Sequence, residues 1–379
     1  MPASGRVWVD EKARAEIERG ALHVYIQHVV RAEARPGEWV EIVHGGETLG
    51  YGLYNPRSSI PVKIFSRDEI EINEYVARRL EEAHRTKSKR YGDVFRWIFA
   101  EGDRVPGLIV DRFRDVAVVR YSVLGLERVL GTIADVLQGF GVEHVYLKNV
   151  GGALKKEGIK EEERFLVGKK GVVEIQEGEA RFIVDVVRGQ KTGFYLDQRE
   201  NRIELEKWVG AGDRVLDVFA YTGGFGIHAA IRGARVTFVE MGRLNAEMLK
   251  RNMEVNGVEG KIIVGNALDV LRKERQEYDI IVLDPPALAK EGSKEGAKRT
   301  YFELNRRAVR LLDGGILVSC SCSHPITPKD FLGILRAAAE REGKTITLLG
   351  SMRGQAPDHT VYLPQPETQY LKCVFGVVE

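Results

Sequence analysis

The sequence predicts an α/β chain, with an open sheet flanked by helices over its second half, preceded by a β-rich module and a small α+β region. Three observations predict it. From about residue 190, apolar runs of five or six residues alternate with amphipathic stretches, the rhythm of strand–helix repeats. Before residue 75 the strand-like runs are short, closely spaced and separated by turn residues. The 379 residues, 44% apolar and 30% charged, are enough for two or three packed domains. The expected division is 1–75, 76–189 and 190–379.

Composition excludes several classes. No apolar stretch approaches the ~20 residues of a membrane span, so no membrane partner is expected. The opening MPASGRVWVDEKARAEIERG is charged and lacks the apolar core of a signal peptide. Three cysteines, Cys320, Cys322 and Cys373, exclude a disulfide scaffold, and a reducing, cytoplasmic compartment is expected. Lys plus Arg is 57 against 55 Asp plus Glu, a balance that neither announces nor excludes a nucleic-acid partner. Only 18 Asn and Gln, with few Cys and Met and many charges, is the composition of a thermophilic source.

In chain order, a helix over 11–19 ends at Gly20. Strand-like runs follow at 23–34, 38–44, 48–55 and 60–65, separated by Pro36-Gly37, Gly45-Gly46 and Asn55-Pro56. Such strands favour a small barrel or sandwich. Residues 69–90 form a helix with no breaker until Gly92. Its end carries His84, Arg85, Lys87, Lys89 and Arg90, either a solvated C-terminus favoured by the helix dipole or a phosphate contact. Strands at 94–102, 107–113 and 116–121, a helix at 126–139, a strand at 144–149 and a hairpin over 172–187 complete the middle region. Then come strands at 214–219, 235–240, 261–267, 278–286 and 315–323, with helices between them, and a closing strand around Cys373.

The turn after the 214–219 strand reads Ala220-Tyr221-Thr222-Gly223-Gly224-Phe225-Gly226. Glycines let backbone turn sharply and approach a ligand, and ligands of open α/β sheets sit beyond the carboxyl ends of strands. Glu240, ending the next strand, is placed to accept from two ribose hydroxyls. That fits an adenosine cofactor, NAD or S-adenosylmethionine. Three features favour the second: GGFG does not satisfy GxGxxG; Asp217 can face a methionine ammonium, which NAD lacks; and the strand ending at 283 runs into the rigid Asp284-Pro285-Pro286 turn.

The segments GLIVDRF, GQKTGFYLDQRENR, VLDVFAYTGGFGIHAA, IVLDPPALAK, LVSCSCSHP and DHTVYLPQPETQYLK, in that order and spacing, resemble the RlmI-type family of large-subunit ribosomal RNA cytosine-5 methyltransferases. The resemblance covers the last three-quarters of the chain; the first module resembles the PUA domain that begins such enzymes. It implies a PUA domain, a small α+β domain and a class I (Rossmann-like) seven-stranded methyltransferase domain. It implies that Asp217, Phe219, Tyr221, Thr222 and Gly223 line the methionine end, Glu240 the ribose, and Asn266 and Ala267 the adenine, with Gln198 and Asp284 as further cofactor neighbours. Many relatives carry an acid at the Asn266 position, where the amide oxygen would have to accept instead.

The implied chemistry needs a thiolate that adds to cytosine C6 and makes C5 able to attack a methyl group. Strand alternation does not choose between Cys320 and Cys322, since positions two apart face one side. Cys322 lies nearer the loop and matches the family nucleophile, while Cys320 and Cys373 read as packing. A metal site built from Cys320, Cys322 and His324 would need an outside ligand, and none is expected. Asp284 is the partner for cytosine N3 and N4. Ala287, where exocyclic-amine methylases often carry an aromatic, argues against adenine N6 chemistry. For removal of the C5 proton, His324 and Asp358-His359 are candidates. The expected partner is large-subunit rRNA, bound in part through Arg85, Lys87, Lys89 and Arg90. A homodimer is compatible with the sequence but not derivable from it. The alternatives are methylation of another RNA base or RNA class, and a non-catalytic RNA-binding module.

Overall fold

The structure, a computed structural model, describes residues 3–288 and 294–379. The end of the segment IVLDPPALAK, Ala289-Lys290, lies outside the described residues. The chain forms two compact units. One comprises residues 1–173, 184–196 and 357–368, the other 174–183, 197–356 and 369–379.

The first unit holds a six-stranded and a five-stranded sheet. In the six-stranded sheet only the pair Gly5–Val9 and Glu38–His44 is parallel. Asp10 caps the helix Glu11–Glu18 by accepting from the Ala13 N–H at 2.8 Å, and its second carboxylate oxygen pairs with His28. That pairing goes with a departure from the expected strands. The run 23–34 is not one strand but His23–Val24, a single 3₁₀ turn at Ile26–His28, and Val29–Glu33. The turn brings buried His28 onto Asp10 and leaves Ile26 and Val30 exposed. A five-stranded sheet follows, and its edge strand Glu162–Val167 is absent from the sequence-based expectation. It is half exposed along its length, so it shows no apolar alternation to read.

The helix Ile72–Tyr91 stops at Gly92, as expected. Its residues Tyr75, Val76 and Leu80 share one core with Trp39, Leu53 and Phe65 on one side of the sequence and Trp97, Val110 and Leu147 on the other. At its basic end the structure corrects the expectation for Lys87. Its side chain is buried, with Nζ donating to Asp103 and to the Trp97 carbonyl. It faces inward because the helical repeat puts position 87 on the same stripe as Leu80 and Ala83, so it cannot meet a phosphate. Burial pulls its pKa down and Asp103 partly restores it. Arg85, Lys89 and Arg90 are exposed, while His84 stacks among Trp97, Phe140 and Phe95.

Segment 357–368 is tied into this unit by buried polar contacts. Asp358 accepts from the Arg96 N–H at 2.9 Å and pairs with His359 Nδ1 at 2.8 Å. Thr360 donates to Asp103 at 2.9 Å. Asp358 and His359 are fully buried and occupied in stapling the segment.

The second unit is a seven-stranded sheet among the described residues. The strands are β1 (Arg214–Val218), β2 (Arg235–Glu240), β3 (Gly260–Val264), β4 (Tyr278–Leu283), β5 (Leu312–Ser321), β6 (Ile346–Leu348) and β7 (Lys372–Val378). Their order is 3-2-1-4-5-7-6. β1 to β5 are parallel, and β7 inserts antiparallel between β5 and β6. The helices are α1 (Gly224–Ile231), α2 (Arg243–Asn256), α3 (Ala267–Lys273), α4 (Lys294–Arg310) and α5 (Pro328–Arg341). β1 and β4 are near-continuously apolar because both their faces are covered. Leu216, Ile281, Leu304, Leu317 and Phe331 join in one core.

Residues 174–183 belong to this unit through a buried charge cluster. Glu177 takes a two-point contact from Arg202 and a further one from His228. Burial alone would raise the Glu177 pKa, but Arg202 and His228 outweigh it and hold the carboxylate ionised. The backbone N–H groups of Arg181 and Ile183 donate to the side chains of Asn256 and Asn252 on α2.

Cys320 and Cys373 are direct partners in the β5–β7 register, with Cα atoms 4.1 Å apart, and are bonded as a disulfide. They are buried as expected, but Cys320 is not a free packing thiol. Facing positions on adjacent antiparallel strands bring the two sulfurs together, and spacing within one segment could not reveal a partner 53 residues away. Cys322 is the free cysteine.

Candidate active site

Strand order reverses between β1 and β4, and a ligand crevice opens at such a switch point, beyond the carboxyl ends of the strands. Of the residues expected to hold the cofactor, Asp217 to Gly223 lie at and after the end of β1, Glu240 ends β2, Asn266 and Ala267 follow β3, and Asp284 follows β4. After β1, Phe219 and Tyr221 both adopt positive φ, 68° and 52°, and Gly223 follows at 93°. Two side-chain-bearing residues in the left-handed region within three positions is strain of the kind that clusters at ligand sites. Glu240 holds the turn: one carboxylate oxygen accepts from the Tyr221 N–H at 2.9 Å, the other from the Gly242 N–H at 2.7 Å and from Asn245 at 3.0 Å. Asp217 is buried and accepts from the Gly226 N–H at 2.8 Å. Gly226 has no alternative, since a Cβ there would stand 2.2 Å from the Phe238 ring and 2.9 Å from the Asp217 carboxylate. Burial pushes the Asp217 carboxyl up to about 7, and the Glu240 charge adds to it. Nearby, the Thr222 hydroxyl is buried with no protein partner.

These features fit S-adenosylmethionine. A buried carboxyl wanting a cation suits the ammonium, the idle Thr222 hydroxyl suits a polar ligand atom, and Glu240 at the β2 end suits a ribose. Ala267 opens α3 and is buried. Asn266 follows β3, at the position where the resemblance puts the adenine. It is the N-cap of α3, and its amide oxygen accepts from the Leu268 and Asp269 N–H groups at 3.0 and 3.3 Å. At Gln198 the amide nitrogen donates to Asp284 at 2.9 Å and the oxygen accepts from Asn201 at 2.6 Å. It positions Asp284.

A second group lies along the ends of β4 and β5. Cys322 is partly buried, with Sγ 3.8 Å from the Pro285 carbonyl, to which it donates. Ser323 locks the two loops together. Its hydroxyl accepts from the Leu288 N–H at 2.9 Å and pairs with the Tyr301 hydroxyl on α4, also at 2.9 Å. Burial pushes Asp284 up to about 7, with the Asp197 carboxylate contributing. Burial likewise pushes the Cys322 thiol up to about 12, with Asp284 and Asp197 adding to the shift. Asp197 accepts from Tyr370. His324 is exposed.

Three neighbours of this group escape a reading of the sequence: Asp197, Tyr301 and Lys372, whose Nζ donates to the Ser323 carbonyl at 2.8 Å. Lys372 leaves a signal in retrospect, as one basic residue at the head of the apolar strand KCVFGVV. Tyr301 leaves none, because it reads as part of the core stripe of α4.

A sheet of this order with such a turn defines an S-adenosylmethionine-dependent methyltransferase. Residues 164–357 match the family described by that name, and residues 7–67 match the PUA-like domain. Ribosomal RNA large subunit methyltransferase I of Klebsiella pneumoniae is 34% identical over 90% of each chain. A Methanocaldococcus jannaschii protein named as a candidate ribosomal RNA large subunit methyltransferase is 35% identical over 99% of each chain. The chain belongs to the ribosomal RNA large subunit methyltransferase I family. Its fold is that of a crystal structure described as a candidate methyltransferase complexed with SAH (TM-score 0.84, 20% identity, covering 98% of this chain and 100% of that one). A second, from Streptococcus mutans, has a TM-score of 0.83 at 19% identity, with the same coverage. Among the described residues no helix is long and apolar enough to cross a membrane.

Proposed function

We propose that this chain methylates C5 of a cytosine in large-subunit (23S) ribosomal RNA, in the cytoplasm, through a covalent bond between Cys322 and cytosine C6. The single observation that carries the reading is the free Cys322 thiol at the end of β5, whose Sγ lies 3.8 Å from the Pro285 carbonyl of the Asp284-Pro285-Pro286 turn. The names of the relatives supply the RNA class. We propose Asp217, Phe219, Tyr221, Thr222, Gly223, Glu240, Asn266 and Ala267 as the cofactor cradle, with Gln198 and Asp284 as its further neighbours. The division into 1–75, 76–189 and 190–379 stays our proposal for the PUA-like, central and methyltransferase domains. Arg85, Lys89 and Arg90 are proposed RNA contacts.

When bound, S-adenosylmethionine supplies an electrophilic methyl group on a sulfonium. The chain's part is to make C5 a nucleophile. The Cys322 thiolate adds to C6, and the C5–C6 π pair moves to C5. Asp284, half protonated near pH 7, can give a proton to N3 as that happens. C5 takes the methyl group and the N3 proton returns to Asp284; the C5 proton then leaves to a base, its electron pair re-forms the C5–C6 double bond, and the C6–S pair returns to sulfur. The target base must first leave its stack.

Large-subunit rRNA transcribed with 5-fluorocytidine tests this, because fluorine cannot leave as a proton does. The expected result is a denaturant-resistant RNA–protein adduct that maps to Cys322 and needs S-adenosylmethionine for the methylated form. Cys322→Ala should lose both adduct and methylation. Full methylation by Cys322→Ala would overturn the cytosine-5 reading; a methyl group on another base would replace it with the rival RNA methyltransferase.

A further inference from the structure

Lys372 opens β7 directly opposite Ser321, the residue before Cys322. It is buried, and its Nζ donates to the Ser323 carbonyl at 2.8 Å. The ammonium is thus anchored to the residue that follows Cys322, whose Cα lies about 3.8 Å from that of Cys322. Among the described residues no carboxylate forms an ion pair with it. A buried ammonium without a counter-ion is costly, and a negative charge on the neighbouring sulfur would offset that cost. Burial lowers the Lys372 pKa, and the charge that opposes this is that of the Cys322 sulfur.

We propose that Lys372 is a positioning residue whose ammonium offsets the groups that disfavour the Cys322 thiolate, so that the sulfur can attack the base. This rests on the reading of Cys322 as the nucleophile. The charged and titratable groups around the sulfur come from four elements. Asp284 after β4 and Asp197 before the helix Arg199–Glu206 disfavour the thiolate, Tyr301 on α4 reaches the adjoining Ser323 hydroxyl, and Lys372 on β7 is the cation. Protonation of Asp284 removes one of the two repulsions and leaves the attraction. The thiol proton passes to solvent water. The freed sulfur pair forms the bond to C6 and returns to sulfur when that bond breaks, so Lys372 keeps its proton throughout.

The test is the rate at which iodoacetamide alkylates Cys322 in the full-length, cofactor-free protein between pH 6.5 and 9.5, read by mass spectrometry of the Cys322 peptide. The rate follows the thiolate fraction. Lys372→Met should slow alkylation about tenfold or more at each pH, while Lys372→Arg, which keeps the charge, should stay near the parent rate. Retained S-adenosylmethionine binding by calorimetry shows that each variant is folded; if Lys372→Met is not, Lys372→Gln takes its place. A parent-like rate in the uncharged variant, or equal losses in the Arg and the uncharged variants, would overturn the proposal. The two readings fail separately. A 5-fluorocytidine adduct on Cys322 with alkylation indifferent to Lys372 removes only the lysine's part. Absence of that adduct removes the nucleophile, whatever the alkylation profile.

Discussion

Replacing Glu240 with alanine should weaken S-adenosylmethionine binding by about 10- to 150-fold. The carboxylate spans the end of β2 and the turn after β1, accepting from the Tyr221 and Gly242 N–H groups and from Asn245. Alanine removes the charged acceptor proposed for the ribose, and hydrogen bonds to charged groups are worth about 1.5–3 kcal/mol, which converts to that range at about 1.4 kcal/mol per factor of ten. It also frees the Tyr221 N–H, so a turn held at positive φ loses its tether. Glu240→Gln should fall between, since one amide oxygen can serve only one side of the former carboxylate. Isothermal titration calorimetry on the folded variants gives the dissociation constants. An Ala variant that binds as tightly as the parent, with an unchanged melting temperature, would refute the placement of Glu240 at the ribose.

Asp217 should make stability fall with pH. Its folded pKa, about 7, lies above the ordinary 3.8, so between those values the folded chain holds the extra proton. The contribution is fully present below about pH 4 and is lost as pH rises through about 7. Asp217→Asn should therefore gain on the parent by up to about 4 kcal/mol at pH 8 and by almost nothing at pH 4, as denaturant unfolding of cofactor-free protein would measure; a pH-independent difference would contradict the shift. The triple variant Arg85→Glu, Lys89→Glu, Arg90→Glu should weaken RNA binding and lower the salt dependence by about 0.7–0.9 for each phosphate no longer neutralised, leaving cofactor affinity unchanged; an unaltered slope removes these residues from the RNA face. Lys87→Met should instead destabilise the fold by about 3–5 kcal/mol by stranding the buried Asp103, and a Tm equal to the parent's would contradict the burial of that ion pair.

Much of the second unit was legible because local rules govern it. Parallel strands covered on both faces give apolar runs, and the turn after β1 must be glycine-rich to pass under a ligand, so Asp217, Gly223 and Glu240 could be found by position in a strand–turn–helix pattern. The basic run 85–90 shows where that reasoning stops. Arg85, Lys87, Lys89 and Arg90 all carry the same charge, yet only the helical phase against a core drawn from residues 39 to 147 turns Lys87 inward and leaves Arg85, Lys89 and Arg90 in solvent. Asn266 and Gln198 illustrate a second limit. An amide in the sequence carries no record of its partners; the structure shows which backbone groups and side chains each one also holds. The cysteines are the sharpest case. Alternation makes Cys320 and Cys322 equivalent, and their difference is set by an antiparallel strand arriving from about 50 residues away, which binds Cys320 through Cys373 and brings Lys372 to the peptide beside Cys322. Sequence by itself determined the class of sheet, the cofactor turn and the candidate nucleophile, because those depend on spacing along the chain. Only tertiary structure decided which like residues face inward, which polar atoms are spent and which charge stands beside the thiol, because those depend on pairing between segments that the sequence keeps far apart.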